Sequence, residues 1–112
     1  MPADYSEKNA ADAFAALGNR TRLRLVRLLV RAGPGGLAVG AIQERLKVPA
    51  STLAHHLATL ARAGLVTQQK AGREVRTTAH FDRLRGLGDF LFEACCRGFD
   101  VDDADTRSDD VA

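Results

Sequence analysis

Two short helical segments separated by a turn of about four residues restrict the fold of this chain more than any other feature. Val39, Ile42 and Leu46 fall at i, i+3 and i+7, so residues 39–46 read as a helix with one apolar side. Lys47-Val48-Pro49-Ala50 leaves room only for a turn. Ser51 is placed to cap a second helix that runs to about Ala63 and stops at Gly64, a residue that tolerates a left-handed C-terminal position. Leu53, Leu57 and Leu60 give that helix its inward side. Helix, tight turn and helix of these lengths predict a helix-turn-helix unit.

The other side of the second helix bears on function. Thr52, His55, Thr59 and Arg62 form a stripe of hydrogen-bonding groups with no acid among them, a composition that suits the major groove of DNA. Ser51 stands at the helix N-terminus, where the helix dipole favours phosphate. His56 lies at the edge of the apolar side and reads as a structural or backbone-contacting residue. After Gly64 the period changes to that of strands. Leu65–Lys70 and Val75–Ala79 flank Ala71-Gly72-Arg73-Glu74, a hairpin whose tip carries Lys70 and Arg73, with Arg76 beside it. A basic hairpin directly after such a helix pair reads as a wing that reaches phosphates or an adjacent groove. The expected fold is mainly α (α+β), a winged helix-turn-helix with a two-stranded β-hairpin wing.

The flanks are helical. Ala10–Leu17 forms a first helix ended by Gly18, and Asn19 can cap the next. In 20–32 an apolar face of Leu25, Leu28, Leu29 and Ala32 opposes a stripe of Arg20, Arg24, Arg27 and Arg31. That stripe reads as a solvated face, with a phosphate contact as its functional alternative. Gly33-Pro34-Gly35-Gly36 breaks the pattern. A last helix runs from about Phe81 to Cys96, with Phe81, Leu84, Gly88, Leu91 and Cys95 repeating at steps of three and four and Leu87 broadening the row. So small a domain has little interior left for such a helix, so the expected destination is a second copy across a two-fold axis. Phe14, Leu17, Phe81, Leu84, Leu87 and Leu91 are the expected dimer contacts.

Composition narrows the function classes. The chain has 112 residues, 46% apolar and 27% charged, which suits one small globular domain, here 1–99. The net charge of +2 conceals an asymmetry: residues 1–99 hold fifteen lysines and arginines against eight acids, whereas 100–112 hold six aspartates against Arg107. A basic body points to a polyanionic partner, and 100–112 reads as an acidic, disordered tail. No apolar run approaches the ~18 residues of a membrane span, and residues 1–9 lack a hydrophobic signal region. The expected setting is the cytoplasm, without a membrane partner. Neither a nucleophile–base pair nor a metal-hydrolase motif is present, so no enzyme is expected. Two adjacent cysteines, Cys95 and Cys96, cannot staple a scaffold and read as thiols.

Several segments resemble the ArsR/SmtB family of metal- and metalloid-responsive repressors. They are Leu17-Gly18-Asn19-Arg20-Thr21-Arg22-Leu23-Arg24-Leu25, Ser51-Thr52-Leu53-Ala54-His55-His56-Leu57, Ala63-Gly64-Leu65-Val66 and the wing's Gly72-Arg73. The chain departs at Ala54, where members usually carry serine. The resemblance implies a dimeric winged helix that represses without ligand and releases an inverted-repeat operator when an inducer binds. Two of the family's inducer sites are missing: Leu37–Ile42 has no thiol, and Asp82 has no histidine partner between Phe81 and Val101. Gly33–Gly40 together with Cys95-Cys96 is similar to an arsenic-sensing subgroup, in which a vicinal pair binds trivalent arsenic, commonly with a third cysteine. Residues 98–112 supply none. Soft thiolates select thiophilic ions, and two sulfurs complete a methylated trivalent arsenical, whereas arsenite needs a third donor. The expectation is a repressor with no required cofactor, induced by arsenic(III) or a methylated trivalent arsenical at Cys95 and Cys96. The alternatives are a thiol-based redox or electrophile sensor, a ligand-independent regulator, and a winged-helix protein-interaction module.

Overall fold

The computed structural model describes residues 5–93; Cys95, Cys96 and the segment 100–112 lie outside that range. Among the described residues five helices accompany a three-stranded antiparallel sheet of order β1-β3-β2, against which α2, α3 and α4 pack. The elements are α1 (Glu7–Leu17), α2 (Arg20–Ala32), β1 (Leu37–Ala38), α3 (Val39–Leu46), α4 (Ala50–Arg62), β2 (Val66–Ala71), β3 (Glu74–Ala79) and α5 (Phe81–Phe92).

Local chemistry sets the helix ends. The Ser6 hydroxyl accepts from the Asn9 amide at 3.0 Å, so α1 begins three residues before the apolar pattern reveals it. Asn19 Oδ1 accepts from the Arg22 amide at 3.0 Å and starts α2, as the sequence predicts. α2 buries Leu25, Val26 and Leu29, with Leu28 half-buried and Ala32 exposed, so Val26 takes the inward place expected of Ala32. At the turn between α3 and α4, Lys47 adopts a left-handed conformation (φ 56°) and its amide donates to the Gln43 carbonyl at 2.8 Å. The C-terminus of α4 is closed by Gly64 at φ 79°. There the Leu65 amide donates to the Leu60 carbonyl and the Gly64 amide to the Ala61 carbonyl, both at 3.0 Å. This paired arrangement satisfies carbonyls that the helix end would otherwise orphan.

The core gathers Ala10, Ala13 and Ala16 of α1, Leu25 and Leu29 of α2, Ile42 of α3, Leu53, Leu57 and Leu60 of α4, and Leu65 and Leu87. Alanines on α1 let that helix approach closely, and the leucines then fill the interior.

The hairpin pairs Val66 with Ala79 through Ala71 with Glu74, leaving Gly72 and Arg73 as its two central residues. Gly72 has φ 66° while Arg73 has no positive φ, which suits a two-residue turn that needs glycine first. The expected two-stranded wing has a third strand, since Leu37 pairs with Thr77 and Ala38 with Arg76. Two residues are too few for periodicity to disclose. Gly36 (φ 67°) leads into β1 where a Cβ would collide with the Thr77 carbonyl.

α5 is capped by the His80 ring, whose Nδ1 accepts from the Arg83 amide at 3.3 Å. It is tied to the other terminus by Tyr5, whose hydroxyl donates to the Arg83 carbonyl at 2.9 Å beneath the Arg83 guanidinium. The seam expected for a partner is divided by the fold. Leu87 is buried in its own subunit's core, and Leu17 and Leu84 pack half-buried against that core. A three-and-four repeat cannot tell a core of its own from a partner's. Phe14, Phe81 and Leu91 remain exposed, joined by Phe92.

Candidate nucleic-acid interface

Leu53, His56, Leu57 and Leu60 turn inward on α4, and the exposed arc opposite them holds Ser51, Ala54, His55, Ala58 and Arg62. At 100° per residue this arc is turned roughly 60° from the predicted stripe, toward the wing. Thr52 and Thr59 are half-buried on the other flank. Thr59 and Arg62 line a groove there with Asp12, Ala15 and Arg22. α1 therefore covers part of the polar stripe, and Ser51, His55 and Arg62 are the exposed hydrogen-bonding residues of the outward arc, with His55 at its edge.

Ser51 does not cap α4. Pro49 occupies the cap position without a side-chain hydrogen bond, and Ser51 stands exposed in the first turn. Proline needs no amide partner there, and with no side-chain cap the helix presents the positive end of its dipole.

His56, read as either a structural residue or a contact to the DNA backbone, is turned inward at 9% exposure. Arg22 Nη1 stands 3.2 Å from His56 Nδ1, and Arg22 Nε donates to the Ala16 carbonyl at 2.6 Å. One guanidinium thus links the end of α1, α2 and α4. Burial holds the His56 imidazole below its ordinary pKa, and the charges of Arg22 and His55 push the same way. The ring is a neutral acceptor at Nδ1, so its role is to place α4.

On the wing, Lys70 and Arg73 are exposed and make no ion pair among the described residues. Arg76, expected at phosphates, is engaged elsewhere. Its Nε donates to the Gly35 carbonyl at 3.0 Å, Nη2 to the Gly36 carbonyl at 3.3 Å and Nη1 to Glu74 Oε1 at 3.0 Å. It pins the glycine-rich loop to the sheet, carbonyls some forty residues distant that no local pattern announces. Between α4 and the wing lies a groove of about 570 Å³, bordered by Ala54, Leu57, Ala58, Gln43, Gln68 and Arg73. Ala54 and Ala58 of the outward arc and the wing's free arginine therefore border one recess. Arg20, Arg24, Arg27 and Arg31 are exposed, as expected of a solvated stripe; three of them, with Arg45, border a separate groove between α2 and α3.

Among the described residues no group of three metal-binding side chains comes together, and no helix is long and apolar enough to cross a membrane. The thiol pair proposed as an arsenical site lies outside the described residues. Sequence reasoning missed Arg22 as the strut behind α4 and Ala58 as surface. Alanine reads as helix filler until its neighbours are known.

Comparison with known proteins agrees with this architecture. Residues 17–69 match a helix-turn-helix domain family. An HTH-type transcriptional regulator of Methanocaldococcus jannaschii is 42% identical over 58% of this chain and 71% of its own length. The transcriptional activator HlyU of Vibrio cholerae is 32% identical over 81% of this chain and 84% of its own. A putative arsenical resistance operon repressor, ArsR, of Halobacterium salinarum is 40% identical over 63% and 56% respectively. Among solved structures, an ArsR-like regulator from Rhodococcus superposes with a TM-score of 0.69 at 28% identity, covering 93% of this chain and 90% of that one. A homodimeric winged helix-turn-helix DNA-binding domain from Mycobacterium bovis gives a TM-score of 0.62 at 25% identity, with 82% and 91% covered. The chain belongs to the ArsR family of winged helix-turn-helix transcriptional regulators.

Proposed function

We propose that this regulator is a homodimeric repressor that sets α4 in the major groove of each half of an inverted-repeat operator and leaves it when a trivalent arsenical binds Cys95 and Cys96. The observation that carries the DNA reading is the shared recess: Ala54 and Ala58 of the outward arc of α4 border the same groove as the free Arg73 of the wing. His55 and Ser51 are the polar groups for base edges, and Lys70 and Arg73 the cations for phosphate. Dimerisation is supported by the apolar residues left open at one end, Leu91 at 62% and Phe92 at 68% exposure. Large apolar groups in such a cluster mark an interaction surface. Cys95 and Cys96 follow α5 in sequence by three and four residues, so an arsenical there acts on DNA affinity through the geometry of the two subunits.

A titration of the DNA-bound full-length protein tests the whole reading. Methylated trivalent arsenical releases the duplex at lower concentration than arsenite, since two sulfurs satisfy the former. The coupling is of the order of 5–150-fold in operator affinity. Cys95→Ser and Cys96→Ser each abolish release and keep DNA binding. Release of either serine variant at the wild-type arsenical concentration removes the two-thiol sensor. Release of the wild type by peroxide in place of arsenicals establishes a redox regulator instead.

A further inference from the structure

The outward face of α4 carries little that can hydrogen-bond. Beside Ser51, His55 and Arg62, its exposed positions are Ala50, Ala54, Ala58 and Ala61. Ala54 and Ala58 lie one turn apart and border the recess opposite Arg73. Resting on the DNA-binding reading above, we propose that Ala54 and Ala58 are specificity-determining residues that read the C5-methyl groups of thymine.

The argument comes from what the major groove offers. Every base pair presents donors and acceptors there, and the one apolar group among them is the thymine methyl. An alanine on a docked helix brings a methyl and no polar atom. A polar base edge pressed against it loses its water and gains no partner, which is costly. A thymine methyl pressed against it is removed from water at a gain. Alanine therefore selects in both directions. The short side chain also lets the α4 backbone come close to the base edges, a distance that a longer residue at 54 or 58 would hold open. Four residues of helix advance about 6 Å and one base step about 3.4 Å. The two alanines thus address thymines one or two steps apart in each half-site, while His55 and Ser51 bond to neighbouring edges.

The test begins with selection of duplexes from a randomised pool by the full-length protein. The selected half-sites carry thymines at such a spacing. Replacing them by deoxyuridine, which removes only the methyl, weakens binding about fourfold per methyl, the ratio corresponding to about 0.8 kcal/mol for one buried carbon group. In the Ala54→Ser, Ala58→Ser double variant, which alters two exposed positions and keeps the fold by circular dichroism, the thymine-to-uracil ratio falls toward one. Tight binding that changes less than twofold when every thymine of the half-site becomes uracil overturns the methyl readout and leaves DNA binding standing. An undiminished ratio in the double variant overturns it too, since the methyls then act elsewhere. Failure to enrich any duplex overturns both readings together.

Discussion

α4 and α5 have nearly the same length, thirteen and twelve described residues, yet they are held in opposite ways. α4 buries Leu53, His56, Leu57 and Leu60, is braced from behind by Arg22, and ends in a closed cap. α5 buries Gly86 and Leu87 and leaves Leu91 and Phe92 in the open. The helix that faces the proposed DNA is complete within one subunit. Among the described residues, the end of α5 is left largely uncovered. In the proposed dimer that division lets each reading head keep its shape while the spacing between the two heads stays adjustable.

The largest expected effect breaks the comparison at its centre. Leu60 is fully buried, so Leu60→Ala removes packing that cannot be recovered by collapse and costs about 2–5 kcal/mol. Urea denaturation shows this as a lower midpoint with an unchanged slope. Leu91→Asp, at an exposed site, leaves the folded subunit intact and instead weakens the dimer by about thirtyfold or more, as expected where a central interface residue is worth about 2 kcal/mol. Sedimentation and operator binding measured together check it, because a monomer engages one half-site only. A Leu91→Asp protein that stays dimeric at wild-type affinity places the interface elsewhere.

The same contrast explains what was legible in the sequence. The bounds of α2 and α3 follow from residues within each segment: the Asn19 cap, the leucines at three and four, and the glycine run that stops α2. The inward side of α4 is equally local, since Leu53, Leu57 and Leu60 define it. Its outward side is not. The buried leucines fix the centre of the interior arc, but whether Thr59 or Ala58 faces solvent depends on where α1 lies. That information is held some forty residues away. The contacts that Arg76 and Leu87 make within the subunit are hidden for the same reason. A basic residue beside a wing and a leucine in a seam each have two partners within reach, and only the assembled chain chooses between them.

A smaller effect sharpens the complete side of the molecule. Arg73 and Arg76 stand near one another in sequence, but only Arg73 is free of the body. Arg73→Ala weakens DNA binding across sequences and lowers the slope of log affinity against log salt by about one, the signature of one lost phosphate contact. Arg76→Ala keeps the salt slope and loosens the 33–36 loop, which hydrogen exchange at the Gly36 and Leu37 amides detects. Equal salt slopes for wild type and Arg73→Ala mean that the wing tip does not touch the backbone.

The smallest effect concerns the brace behind α4. His56 is held below its ordinary pKa of 6.5 by burial first and by the charges of Arg22 and His55 second. The unfolded chain therefore takes up this proton at a higher pH than the folded one. Above about pH 7 neither state carries it and stability is full. As pH falls through 6.5 the unfolded state gains the proton first, so stability declines, and the decline levels off once the folded ring is protonated as well. Protonation also puts a positive ring against Arg22, whose Nη1 lies 3.2 Å from Nδ1, and weakens the link from α4 to the end of α1. His56→Gln retains an oxygen that can accept from Arg22 but cannot titrate. Its urea midpoint between pH 7.5 and 5.5 accordingly falls less steeply than that of the wild type. Parallel slopes in the two proteins would assign the acid sensitivity to other groups and leave His56 as a packing residue alone.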